Sequence, residues 1–123
     1  MAVTAVVSSK VSRGVHKWVW TALTEADTGA ALDPENGGPS FADKCVQMES
    51  AAAWGGGTII LEGSNDGVVY SPLNNPQGIP ISMTADGLEG ILENPLYVRP
   101  RATAGSSMSV DITIVGRAIL QLR

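Results

Sequence analysis

The side chains able to do chemistry are few. Cys45 is the single cysteine and His16 the single histidine in 123 residues. A thiol beside an imidazole is a nucleophilic pair, but such catalysis needs a nucleophile, a base and an orienting group in contact. Neither residue lies in a motif that supplies the third member. A lone cysteine makes no intramolecular disulfide and no zinc site by itself, so Cys45 reads as a small buried strand residue. His16 stands between apolar positions, two residues before Trp18, and reads as structural. No Gly-x-Ser-x-Gly elbow is present.

Carboxylates are more numerous, with 12 Asp and Glu. A glycosidase needs two of them about 5–10 Å apart, yet nearly all fall in turns or at outward strand positions. That is the pattern of a solvated acidic surface. Glu89 and Glu93, four apart, read as the exposed side of a helical turn. Asp27, Asp33 and Glu35 share one segment and Asn65 and Asp66 another, but neither follows EF-hand spacing. Gly55-Gly56-Gly57 precedes no helix and reads as a turn, not a phosphate cradle. No catalytic, cofactor-binding or metal-binding residue is therefore predicted, and no cofactor. Trp18, Trp20, Trp54 and Tyr70 are the candidates for stacking a sugar. With only one phenylalanine in the chain, the tryptophans read instead as core or interface anchors.

Charge narrows the partners. The net charge is −4, and the 8 Lys and Arg are scattered, which argues against a phosphate-neutralising patch and hence against nucleic acid. Charged residues are 16% of the chain against an ordinary value of about 25%. With 14 Gly and 7 Pro, this favours strands, tight turns and surface covered by partners. The N-terminal run Ala2–Ser9 is short, broken by Thr4 and followed by its positive charge, unlike a secretory signal. The longest uncharged run, Gly67–Ala85, contains Pro72, Pro76 and Pro80 and is no lipid-facing helix. A soluble protein made in the cytoplasm, without a membrane partner, is expected.

The elements that must position these residues read as strands, because hydrophobic alternation has period two. The length suits one domain. Residues 1–12 are predicted as an N-terminal strand or extended arm, and 13–123 as a single β-sandwich domain. Val15–Leu23 places His16, Trp18 and Trp20 on one face. Thr24–Ala42 is rich in turn signals and forms one long loop of the kind that is often functional. Lys44–Trp54 is a strand, Gly55–Gly57 a hairpin tip, Thr58–Gly63 a strand, Asp66-Gly67 a tight turn and Val68–Tyr70 a short return strand. Ile79–Thr84 reads as an edge strand. In Asp86–Asn94, Leu88, Ile91 and Leu92 have helical spacing behind an Asp86 cap, which predicts the only helical turn. Leu96–Arg101 is a strand with outward arginines, and Ser109–Leu120 is the last and longest. About seven or eight strands at spacings of roughly 8–12 residues predict an all-β, antiparallel sandwich of jelly-roll-like type.

Three segments resemble small structural proteins of tailed bacteriophages. They are Thr58–Gly67, then Leu73–Gly78, then Glu93–Pro100, with Trp20–Gly29 as the opening of the same pattern. The similarity spans roughly residues 18–117. Some proteins of this kind decorate, or cement, the capsid, and the resemblance carries no catalytic motif. It implies a cement protein on the virion capsid surface, contacting the major capsid protein and its own copies as a homotrimer, or failing that a dimer. A tail or baseplate protein and a carbohydrate-binding sandwich are the alternatives. The residues expected at interfaces are Val3, Ala5 and Val7 in the N-terminal segment, Asp27, Asp33 and Phe41 in or beside the long loop, and Trp18 and Trp20, which serve either core or interface.

Overall fold

A computed structural model of the chain describes residues 3–118. Ala2, Ile119 and Leu120, which the sequence places in the first and last strands, lie outside the described residues. The fold is a β-sandwich of two packed sheets. In chain order the strands are β1 (Val3–Thr4), β2 (Val6–Ser12), β3 (Val15–Leu23), β4 (Thr28–Gly29), β5 (Phe41–Ala53) and β6 (Thr58–Ser64). They continue with β7 (Ser71–Pro72), β8 (Ser82–Met83), β9 (Gly87–Gly90), β10 (Tyr97–Thr103) and β11 (Ser109–Ala118). One sheet runs β1-β4-β10-β6-β7 with β8 also on β6; the other runs β2-β3-β11-β5-β9. Pairing is antiparallel except for β1 beside β4, which is parallel, a departure from the expected all-antiparallel arrangement.

The alternation works as period-two physics requires. Trp18 and Trp20 on β3, Val46 and Met48 on β5, and Val110, Ile112 and Ile114 on β11 point inward and are fully buried. Ile59 and Leu61 on β6, with Val98 and Ala102 on β10, meet them from the other sheet. Burying each large side chain contributes about 1.5–3 kcal/mol.

Four local expectations are corrected. Asp86–Asn94 is not helical: β9 pairs with β5, Leu88 beside Gln47. Leu88 is exposed while Ile91 is buried, so the helical spacing never forms one buried stripe. The Asp86 carboxylate caps no helix but accepts from the Ser50 N–H at 3.0 Å and the Trp54 Nε1–H at 2.7 Å. The helical turn among the described residues is a 3-10 turn at Gly38–Ser40, inside the long loop. Val68–Tyr70 is a bend, because the Asp66 carboxylate holds the Val68 and Val69 N–H groups at 2.8 and 2.9 Å and keeps them from a ladder. Gly55–Gly57 joins β5 to β6, which belong to different sheets, so it is a corner between layers and not a hairpin tip.

The long segment is also less free than its composition implied. Asp27, Thr28, Leu32 and Gly38 are buried, β4 pairs with β10, and Leu32 bridges Val98. Both indoles hold it down. Trp18 Nε1 donates to the Asn36 carbonyl at 3.1 Å and Trp20 Nε1 to the Ala30 carbonyl at 2.8 Å.

Candidate interaction surface

The N-terminal segment is the outer strand of both layers. β1 closes one sheet and β2 the other, and Ala5 carries the chain between them. Val3, Val7 and Val11 are 67%, 63% and 54% exposed, and Ala5 is exposed as well. Valine suits a pleated strand, and the pleat sends alternate side chains outward. The outer backbone edge of such a strand presents unpaired N–H and C=O groups to a partner. Only Val6 of this segment packs on the core.

The other expected contact residues are less exposed than this edge. Trp18 and Trp20 have no exposed surface, which resolves the two readings in favour of core. Asp27 is buried too. Its Oδ2 accepts from the Thr24 hydroxyl at 2.6 Å, the Thr24 N–H at 3.0 Å and the Thr4 hydroxyl at 3.2 Å. The Thr24 hydroxyl leads in holding this carboxyl below its ordinary range, against desolvation. Asp27 thus ties β1 to the start of the loop and offers nothing outward. Asp33 Oδ1 accepts the Asn36 N–H at 2.9 Å while Asn36 Oδ1 accepts the Asp33 N–H at 2.9 Å, a reciprocal turn lock. Phe41 is half-buried and lies edge-on to Trp18 at 5.5 Å. Asp27 thus meets the start of the N-terminal segment through Thr4, and Phe41 shares a groove with Lys10 and Ser12 at its other end.

The potential chemical groups are dispersed. His16 is half-buried between Trp18 at 4.9 Å and Phe41 at 5.1 Å, and its Nε2 meets the Ser8 hydroxyl at 2.5 Å. Cys45 is half-buried on the opposite face of its sheet, directed outward beside Val115. Lys44 is buried, donating to the Phe41 carbonyl at 2.6 Å and to Asn94 Oδ1. Burial pushes its ammonium down to about 8. Among the described residues no group of three or more His, Cys, Asp and Glu is placed to hold a metal ion. No helix there is long and apolar enough to cross a membrane.

Sequence reasoning missed two features. The first is an ion-pair cluster: Glu62 Oε1 accepts from Arg99 Nε at 2.8 Å and Oε2 from Arg101 Nε at 3.2 Å. The Arg99 guanidinium covers the Tyr70 ring at 3.7 Å, so that face of Tyr70 carries a cation. The alternation of Arg99 and Arg101 predicted a shared face, but their acidic partner 37 and 39 residues away left no local signal. The second is the loop after β6. Val68 and Val69 are 80% and 70% exposed, beside an open groove of about 470 Å³ lined by Asn65, Val69, Ser71 and Glu93 among others. Glu93 does not face solvent as part of a helix; it accepts from the Asn74 N–H and Nδ2 at 2.8 and 2.7 Å. Glu89 accepts from Asn75 Nδ2 at 3.1 Å.

No family model matches the chain, and no curated protein matches it in sequence.

Proposed function

We propose that the chain is a structural protein of a phage virion, of the capsid-decoration type, which stabilises a shell by binding several neighbouring subunits. The observation that carries this reading is the double outer edge. One continuous segment, Val3–Ser12, borders both sheets and exposes Val3, Val7 and Val11. A partner segment adding to such an edge gains main-chain hydrogen bonds, with alternate side chains setting specificity. The sequence resemblance to small phage structural proteins supplies the kind of partner. A subunit that binds only the assembled shell stabilises it by mass action, and several modest contacts on one particle reinforce each other through effective concentration.

The test is co-sedimentation with purified empty capsids of the encoding phage, together with the capsids' melting temperature. Saturable binding and a raised melting temperature are expected. Val3→Lys with Val11→Lys weakens binding about tenfold or more while leaving the far-ultraviolet circular dichroism unchanged, since both side chains are exposed. A folded chain that neither sediments with capsids nor raises their melting temperature overturns the proposal.

A further inference from the structure

The two lateral margins of the sandwich carry opposite charge. β1 and β2 form one margin, joined through Ala5. β7 and β9 end the two sheets on the other side. There the Leu92 N–H donates to the Asn74 carbonyl at 2.8 Å and Asn75 Nδ2 donates to Glu89 at 3.1 Å, so the chain after β7 and the chain around β9 close that margin together. Residues 3–23, which build the first margin, include Lys10, Arg13 and Lys17 and no Asp or Glu. All three cations are exposed. Between Lys44 and Arg99 the chain has no Lys or Arg. The second margin accordingly carries Asp86, Glu89 and Glu93, and Glu49 shares a shallow groove there with Asp86 and Leu88.

Neutral groups hold the acidic side chains. Asp86 accepts from the Ser50 N–H and the Trp54 indole, Glu89 from the Asn75 amide and Glu93 from Asn74. These bonds fix the carboxylates without cancelling their charge. The ion pairs among the described residues are the two on Glu62, so neither margin is neutralised by pairing within the chain. Opposite charges do lie close by. Asp43 shares a groove with Arg13, Asp27 is buried behind Thr4, and Lys44 is buried against Asn94. The exposed charge is still three cations to one acid on the first margin and acidic throughout on the second. Asp111 and Arg117 lie on β11, the middle strand, away from both.

Large apolar side chains stand out on both margins. Val3, Val7 and Val11 are 67%, 63% and 54% exposed on the first, and Ile79, Leu88 and Leu92 are 59%, 66% and 58% exposed on the second. Exposed apolar surface rimmed by charge marks a protein contact. A two-fold axis through either margin would set like charge on like. A heterologous contact sets the basic margin of one molecule on the acidic margin of the next. We infer that copies of this chain dock head to tail, the β1/β2 margin of one against the β7/β9 margin of its neighbour. Each copy then makes two contacts, and in a closed ring the last contact forms at high effective concentration. The inference deepens the proposed function by naming a second copy among the neighbours that the N-terminal edge engages, and rests on that reading for the expectation that the chain works among copies of itself.

Sedimentation velocity on the unaltered chain and on two variants, alone and mixed, tests it. Val7→Glu with Val11→Glu blocks the first margin by placing acid against acid. Leu88→Gln with Leu92→Gln strips the apolar contact from the second. All four side chains are exposed, so the far-ultraviolet circular dichroism stays unchanged. The unaltered chain is expected to form a species of three or more copies that loosens as salt screens the charges. Each variant alone weakens the association roughly tenfold or more. Mixed in equal amounts, the two variants form a dimer with one copy of each and nothing larger, because one intact margin of each kind remains. An unaltered chain that stays monomeric, one that stops at two copies, or variants that fail to form the mixed dimer overturns the inference. Capsid binding is measured separately. A head-to-tail oligomer that ignores capsids overturns the proposed function alone, and a monomer that binds them overturns the head-to-tail contact alone.

Discussion

At the scale of single residues, buried polar side chains in the described part of the chain are tied to partners, and the cost of a change depends on which partner remains. No buried side-chain nitrogen or oxygen there lacks a hydrogen bond. Glu62 is 4% exposed, whereas its arginines keep 29% and 39% of their side-chain surface. Removing both arginines strands a buried carboxylate. Removing the carboxylate leaves two cations that water can reach. Arg99→Ala with Arg101→Ala is therefore expected to cost about 3–5 kcal/mol and Glu62→Ala about 2 kcal/mol or less, read from urea midpoints. The reverse order contradicts this reading. Asp27 gives a pH signature. Its folded carboxyl titrates below its ordinary value, held there first by the Thr24 hydroxyl. A depressed acid adds stability that is complete above the unfolded value of about 3.9 and is lost as pH falls through the folded one. Asp66, pulled down to about 2 first by the Val68 and Val69 N–H groups, extends the same loss further into acid. Urea midpoints are thus expected to fall below about pH 4, with a shallower fall for Asp27→Asn. An unchanged slope in that variant assigns the acid sensitivity elsewhere.

At the scale of elements, the corners between the two layers were the least legible. The glycine run at 55–57 was readable as a turn but not as a crossing, because the partner that decides this is remote. A Cβ at Gly55 would stand 1.9 Å from the Ser106 carbonyl oxygen, and the residue has φ +59°. The Ser106 N–H also donates to the Gly55 carbonyl at 3.0 Å. The β5–β6 corner and the β10–β11 turn are therefore packed backbone to backbone. Gly55→Ala should destabilise by about 2 kcal/mol or more, measured by thermal unfolding, while Gly56→Ala, with open space around its Cβ, costs less. Equal effects would place the strain in φ alone, since Gly56 also has a positive φ of +75°. The failed helix at Asp86–Asn94 belongs here too. Its apolar spacing was real, but Gly87 and Gly90 within it penalise a helix, and pairing with β5 supplies the main-chain hydrogen bonds instead.

At the scale of the whole molecule, the N-terminal segment joins the two sheets along one margin, in addition to corners such as Gly55–Gly57. Deleting residues 1–12 opens β3 and β4 at once and uncovers the part of the core on which Val6 packs. One cooperative unfolding transition with its stability lowered by about 3 kcal/mol is expected by calorimetry or denaturant titration. A truncated chain as stable as the full one would mean that the segment is a detachable arm. Charge is distributed on the same scale. Lys10, Arg13, Lys17 and Arg117, half of the 8 basic residues, gather toward one end of the β2-β3-β11-β5-β9 sheet, where they looked scattered in linear order.

Composition and alternation alone determined that this chain is all-β, that most of its long strands lie where they do, and that Trp18 and Trp20 share a face, since those properties depend on neighbours one and two residues away. Only the tertiary structure decided which strands pair, that the tryptophans are wholly interior, that the long segment is pinned by their indoles, and that Glu62 sits between two arginines. Those facts depend on groups brought together from ten to nearly ninety residues apart, where no local periodicity carries the information.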